Sequence, residues 1–435
     1  MTSRTAFAIP AFRRLWAAGL ISDTGDWLLF IALPLVVFQL TGSALGTSIA
    51  FLLELVPAVV LAPLAARLIG RFDRRWIMVA VNIGQALALL PLLWVNEVAD
   101  LPLAYAVIFV HASLSTLFEP AKNTLLPDLV DTERLVSANA LIGLNQNLGR
   151  LIGGPLGGIL LAVGDLGLIV AADAITYVIS AVLIATLPAV TATTHDTGGA
   201  PAGAGSAEAT SDAAPTDAHD ARPVGLLEAL RIPRLRGAFA VILVSSVAQG
   251  MFLVLFVLFA LGPLRGSDAD VGLLRGIQAV GAVVAGVVLG FIARGSSPRT
   301  LTAASLFAFG ALSLVTWNLP AVTTDIWPYV LLFAAVGAPG VIMIAGLMSV
   351  LQEQSEPRQR GAVFAAVGLV SAVGQALGIL LGALSDGAIG LLPLLEAQGC
   401  LYLLSGVIAL LWLPRAADRP TPKAEDATDA VTRTP

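Results

Sequence analysis

Apolar residues run along this chain in long blocks, with the polar residues gathered between them. Twelve such blocks lie at roughly 15–40, 44–68, 76–96, 101–120, 136–163, 166–188, 237–262, 269–293, 300–318, 326–350, 361–385 and 390–413. Each is about 20 residues or more, enough to cross a bilayer, and lipid leaves backbone groups no partner outside their own helix. The pattern predicts an all-α membrane protein with twelve transmembrane helices. Between 189 and 225 the blocks stop, and Ala, Thr, Gly, Asp and Pro take over. That composition reads as a disordered linker. It divides the chain into a six-helix bundle at 1–188 and a second at 226–414, with a disordered tail at 415–435.

Charge sharpens the picture. Of 435 residues, 57% are hydrophobic and 12% charged, about half the charged share of a soluble domain. Arginine and lysine fall on alternate connections. Arg13 and Arg14 precede the first block, Arg67 to Arg75 follow the second, and Lys122 and Arg134 follow the fourth. Arg231, Arg234 and Arg236 precede the seventh, and Arg358 and Arg360 precede the eleventh. The opposite connections carry only Arg265. Basic loops stay on the cytoplasmic side, so both termini and the linker are expected in the cytoplasm of a cell with this protein in its plasma membrane. The first block is too long for a signal-peptide core and is expected to remain as a helix. Residues 226–236 are expected to form a short amphipathic helix on the inner membrane face. The single cysteine, Cys400, permits no intrachain disulfide.

Polar residues inside the blocks are the candidate chemistry. The stretch Ser22–Trp27 reads SDTGDW and puts Asp23 and Asp26 three residues apart, on one helical face. A charge at bilayer depth costs at least a few kcal/mol, which marks it as functional. Glu54 and Asp173 are further intramembrane acids, and His111, Arg150 and Arg275 are intramembrane bases. A desolvated acid is suited to holding a proton. Asp26, Glu54, Asp173 and Arg150 are therefore read as proton-coupling residues, with a static shared hydrogen bond as the alternative for Asp26 and Glu54 and a structural role as the alternative for Asp173. Arg150 needs a partner, and Asp173, Asp26 or Glu54 would serve. His111 is either a proton carrier or a packing residue. Arg275 either snorkels to the outer surface or meets an anionic substrate. His195 and His219 lie in the linker without fixed geometry, and no metal site is expected.

The two halves repeat each other. Gly143, Leu144, Gly149, Gly153 and Gly157 fall on Gly368, Leu369, Gly374, Gly378 and Gly382 with one constant offset and no gap. Small residues four apart let helices approach closely. Tyr177 and Ser180 likewise fall on Tyr402 and Ser405. Under nearly the same offset Asp26 meets Gln249, Glu54 meets Gln278 and Asp173 meets Gln398. An amide hydrogen-bonds but does not titrate near neutrality. Proton handling is thus expected in the first half alone. Trp27, Gln249, Gln278 and Gln398 are the expected substrate-cavity residues.

A parallel duplication of six helices is the plan of major facilitator transporters, which bind substrate near the midplane between halves. Several stretches resemble the branch of that superfamily that contains enterobactin exporters and macrolide-efflux pumps. AARLIGRFDRRW at 65–76 resembles its cytoplasmic signature, with Leu68, Arg71, Asp73, Arg74 and Arg75 in place. Ala66 stands where the signature has glycine, and Gly70 where it has an acid. The resemblance implies an inner gate of Arg71, Asp73, Arg74, Arg75 and Glu119, with Glu119 pairing with the arginines. FEPAKNTLLPDLVDTERLVSANAL at 118–141, Gly25–Trp27 and DAITYVIS at 173–180 resemble the branch as well. GRLIGGPLGG at 149–158 is similar to the glycine-proline signature of antiporters, shifted by one residue.

The implied function is proton-coupled export, by alternating access, of bulky, largely apolar small molecules of the drug or siderophore class. A lipid or lysolipid carrier, or an importer, shares the fold. The partners expected are a small-molecule substrate, protons and the lipid bilayer, with no nucleic acid, no cofactor and a monomeric chain. No HExxH, GxSxG or phosphate-binding loop occurs, which argues against an enzyme or an ATP-driven pump. No ordered soluble domain is expected, which argues against a sensor.

Overall fold

A computed structural model describes residues 6–188, 226–292, 297–356, 358–387 and 389–414. The expected linker at 189–225, with His195 and His219, and the expected tail at 415–435 lie outside the described residues. The first bundle consists of α1 (Pro10–Thr41), α2 (Ala44–Val60), α3 (Ala62–Arg71), α4 (Arg74–Leu89), α5 (Leu101–Leu129), α6 (Leu135–Val163) and α7 (Leu166–Ala185). A short α8 (Leu226–Leu230) precedes the second: α9 (Arg236–Leu261), α10 (Asp268–Ile292), α11 (Pro298–Asn318), α12 (Ile326–Gln354), α13 (Arg360–Gly382) and α14 (Leu391–Trp412). No strand occurs among the described residues.

Local chemistry sets the helix ends. Gly42 takes φ 63° and stops α1, a left-handed geometry in which glycine pays no steric penalty. Ser43 then caps α2, accepting from Leu45 N and Gly46 N. Asp73 caps α4 and Asp165 caps α7 in the same way. Pro57 and Pro63 flank the break between α2 and α3, which are bent by 51°.

Ten helical stretches among the described residues are long and apolar enough to cross a membrane, and the bent pair α2–α3 adds one. The remaining expected crossing, the fifth, is α6. It has the length, but its glycines, Asn145, Gln146, Asn147 and Arg150 dilute its apolar character. The expected helix at 226–236 is α8, a short turn at Pro233–Leu235 and the start of α9.

The repeated glycines do the same work in both halves. A Cβ on Gly153 would collide with the Thr24 carbonyl of α1. A Cβ on Gly378 would collide with the Val247 carbonyl of α9. These are equivalent positions, so α6 lies on α1 as α13 lies on α9. A second glycine row on α6 faces the other bundle, where Gly154 meets the backbone of Gly272 and Gly158 that of Asp268, both on α10. This backbone-on-backbone seam joins the halves.

The bundles meet at the end of the molecule opposite the N-terminus. Gln39 Nε2 donates to Asp268 Oδ1 at 2.8 Å. Ser43 Oγ and Ala44 N both donate to Asp386 Oδ2, at 3.0 and 2.7 Å. Deeper in, Ser48 Oγ donates to the Ile379 carbonyl at 3.2 Å. The far face is closed.

Candidate functional site

A cavity of about 350 Å³ opens in the first bundle between α1, α2 and α5. Asp26 and Phe30 line it from α1, Glu54 from α2, and His111, Ser115 and Thr116 from α5. Among the described residues, contact between α10 and α12 closes the equivalent place in the second bundle. A Cβ on Gly281 would collide with the Ala334 carbonyl, and one on Gly337 with the Gln278 carbonyl, so α10 and α12 touch backbone to backbone. Phe252, Phe256, Phe259, Trp317 and Phe333 stack beside them. One repeat therefore holds a cavity where the other holds an aromatic core.

Local packing places Asp26. Gly25 has no side chain, and a Cβ there would overlap Asp173 Oδ1 and Thr176 of α7. The close approach of α7 brings Tyr177, fully buried, against α1. Its hydroxyl donates to Asp26 Oδ1 in a short hydrogen bond. His111 Nε2 lies 2.7 Å from the same hydroxyl. Gln85 Nε2, from α4, donates to Ser115 Oγ at 2.9 Å and lies 3.3 Å from His111 Nε2. Neither Asp26 nor Glu54 has an ion-pair partner among the described residues. Two acids thus share one partly apolar cavity, and one of them is tied to a tyrosine–histidine pair. Such a site can take up a proton or hold a cationic group.

The second half carries the matching scaffold. Tyr402 donates to Gln249 Oε1 at 3.1 Å, the counterpart of the bond from Tyr177 to Asp26. Gln398, the counterpart of Asp173, is fully buried and accepts from Trp317 Nε1 at 3.0 Å. Asp173 is equally buried. Its Oδ1 accepts from Thr176 at 3.2 Å, and its Oδ2 has no partner.

Several expectations need correction. None of Trp27, Gln249, Gln278 and Gln398 lines this cavity, which lies within the first bundle and not between the halves, where substrate is expected. Gln398 is enclosed, with Oε1 accepting from Trp317 and Nε2 unpartnered. Gln278 is 7% exposed in the α10–α12 seam, with Nε2 unpartnered. Trp27 meets Phe30 edge-on, with ring centroids 4.9 Å apart, and lies beneath Arg150, whose guanidinium is 5.7 Å from the ring centroid. Arg150 pairs with no acid among the described residues. It donates to Asn147 Oδ1 at 3.2 Å, one turn away on its own helix. Arg275 does not snorkel. It is 6% exposed, between the rings of Phe30, Phe252 and Phe256 at 4.9–5.5 Å.

The gate residues also find other partners. Glu119 pairs with Lys122, one turn along α5, and not with the arginines. Lys122 is no loop residue; it is 2% exposed inside the bundle, within electrostatic reach of Asp23. Arg74 pairs instead with Asp128 at 2.6 Å, because Asp128 ends α5 level with the start of α4. Arg75 donates to the Leu187 carbonyl at 2.5 Å and stacks on Trp76. Asp73 is taken up as the α4 cap. Arg71 lines a second cavity of about 320 Å³ with Gly70 and Asp128. Gln85, Ser115 and Tyr177 were not legible as site residues, although Gln85 is a polar residue inside an apolar helix.

Two bundles of repeated helices, glycine-packed and closed over an internal acidic cavity, define a multi-pass membrane transporter of the secondary kind. The family model of the Major Facilitator Superfamily matches residues 15–378 and 238–434, and the chain belongs to that superfamily. It is 24% identical over 388 residues to macrolide efflux protein A of Streptococcus pyogenes, covering 87% of this chain and 90% of that protein. It is 26% identical over 417 residues to the multidrug efflux pump Tap of Mycolicibacterium fortuitum, covering 92% and 94%. The fold matches a bacterial homologue of the iron transporter ferroportin, crystallised in an inward-facing state. The TM-score is 0.69 at 16% identity, covering 93% of this chain and 99% of that one.

Proposed function

We propose that this protein exports bulky, largely apolar small molecules of the drug class in exchange for protons, with siderophores as a further cargo class. It acts as a monomer in the plasma membrane, with both termini, the linker and the tail in the cytoplasm. In that orientation the face joined by the Gln39–Asp268 and Ser43–Asp386 bonds is external. The observation that carries the reading is the placement of Asp26 and Glu54 on one cavity, neither with an ion-pair partner among the described residues. Their protonation answers to whichever side of the membrane the cavity faces. The names of the efflux relatives support the direction.

The cycle runs as follows. From the cytoplasm the substrate enters the cavity as the acids give up protons to that side. After the halves rock, protons from outside reload the acids as the substrate leaves. Asp26 and Glu54 carry the coupling, while Arg150, against Trp27, and Asp173, behind Gly25, support their side of the bundle. Arg71, Asp73, Arg74 and Arg75 hold the cytoplasmic end of the first half.

The test is ethidium and macrolide efflux in pump-deficient cells and in inverted vesicles with an imposed pH gradient. Asp26→Asn should abolish uphill movement while leaving the protein in the membrane. Full uphill transport by Asp26→Asn, or transport indifferent to the gradient, would refute the coupling. Movement in the opposite direction would make the protein an importer.

A further inference from the structure

We infer that Tyr177 and His111 form a proton relay that moves the proton of Asp26 to a second point on the cavity wall. The inference rests on the coupling role of Asp26 but concerns residues that role does not assign. The geometry is a continuous line: Asp26 Oδ1, the Tyr177 hydroxyl, and His111 Nε2 at 2.7 Å from that hydroxyl. Both ends, Asp26 and His111, line the cavity, while Tyr177 between them is fully buried. A buried link between two accessible groups is the form a proton wire requires.

The proton balance is simple. With Asp26 ionised, the Tyr177 O–H donates to Asp26 Oδ1 and His111 Nε2–H donates to Tyr177 Oη. With a proton on Asp26 and the histidine in its other tautomer, both bonds reverse. Asp26 then donates to Tyr177 Oη, and the Tyr177 O–H donates to the Nε2 lone pair. From there the Asp26 O–H and the Tyr177 O–H break while a new Tyr177 O–H and an Nε2–H form. The products are an Asp26 carboxylate, an intact tyrosine and an imidazolium at the cavity. One proton has moved, and no oxidant or other reactant is needed. Gln85 is a positioning residue, 3% exposed, whose Nε2 lies within 3.4 Å of both His111 Nε2 and the Tyr177 hydroxyl.

The second bundle supplies an internal comparison. Tyr402 makes the equivalent bond, but to the amide Gln249, and α12, the counterpart of α5, contains no histidine. The tyrosine bond is therefore common scaffold, and titratable ends occur only in the half that holds the cavity. Other charged or titratable groups bear on the relay. They are Asp23 from α1, Glu54 from α2, Glu119 and Lys122 from α5, and Asp173 from α7. Any pH response must be read against them.

The test uses full-length protein in nanodiscs with ¹⁵N-labelled histidine, where His111 is assigned by the loss of its signal in His111→Gln. Asp26→Asn is expected to shift the pH midpoint and tautomer balance of His111. The same change in a Tyr177→Phe background is expected to leave both unmoved, since the phenyl ring keeps the packing and removes the link. Equal response to Asp26→Asn with and without the hydroxyl, or no response in either, overturns the relay. Ethidium efflux separates the two claims. Tyr177→Phe and His111→Gln should each lower uphill efflux by about tenfold or more, the scale of losing a proton-transfer partner. Full uphill efflux by Asp26→Asn would sink the coupling reading, and the NMR result would still decide the relay.

Discussion

Asp386→Ala removes the carboxylate that joins the second bundle to the start of α2. Its Oδ2 accepts from Ala44 N at 2.7 Å and from Ser43 Oγ at 3.0 Å. An enclosed hydrogen bond to a charged acceptor contributes about 1.5–3 kcal/mol. Asp386 is exposed, so water competes and each bond contributes nearer 0.5–1 kcal/mol. Together they favour the closed far face by about 1–2 kcal/mol, a factor of roughly 5–30 in population. Gln39–Asp268 and the bond from Ser48 to Ile379 remain, so the variant should shift the equilibrium without abolishing closure. Spin labels at Glu97→Cys and Val322→Cys, in a Cys400→Ser background, report the width of that face by pulsed electron paramagnetic resonance. The long-distance population should rise by the stated factor with Asp386→Ala and by less with Asp386→Asn, which keeps one acceptor oxygen. An unchanged distance distribution in Asp386→Ala would refute the idea that these contacts hold the face shut.

Other expectations follow from the packing. Gly378→Val pushes side-chain atoms into the Val247 carbonyl and should lower the thermal midpoint sharply or prevent folding; a wild-type midpoint would mean that α13 and α9 can separate. Gly70→Asp should leave that midpoint unchanged, because nothing lies within 4 Å of a Cβ there; a drop of several degrees would reveal an unseen neighbour. Lys122→Met removes the cation beside Glu119, whose side chain is 43% exposed, and should change stability by no more than about 1 kcal/mol. Chemical denaturation measures it, and Glu119→Gln with Lys122→Met should recover part of any loss. Tyr402→Phe should cost about 1 kcal/mol of stability and leave the proton dependence of efflux intact. A changed proton dependence would mean the second half also titrates.

The fold was legible because membrane crossing depends on length and apolar content, which a sequence displays directly. The shared glycine row was legible too, since backbone contact at Gly153 and Gly378 is a matter of having no side chain. What stayed hidden were partners. Arg150 and Glu119 each had several acids or bases within conceivable reach, Arg275 had an outward snorkel or an anionic substrate, and rotamer and neighbouring rings decided the outcome. Arg275 went to three phenylalanines from two bundles, an arrangement no spacing along one helix announces. Asp26 and Glu54 could be singled out because an acid in an apolar block is rare. Tyr177 and Gln85 could not, because each is ordinary in its own helix and acquires meaning only where α1, α4, α5 and α7 converge.

The glycine seam and the cavity wall occupy different faces of neighbouring helices. On α6 the residues that fix the distance to α1 and α10 present no side chain, while on α1, α2 and α5 the residues that line the cavity present little else. Motion and recognition are therefore written in separate positions. Under the proposed export role, a chain under selection for a new cargo can exchange Ser115 or Thr116 without retuning how its halves rock, whereas Phe30 also touches Arg275 of the other half. This division gives the architecture room to diversify its substrates while its moving parts stay fixed.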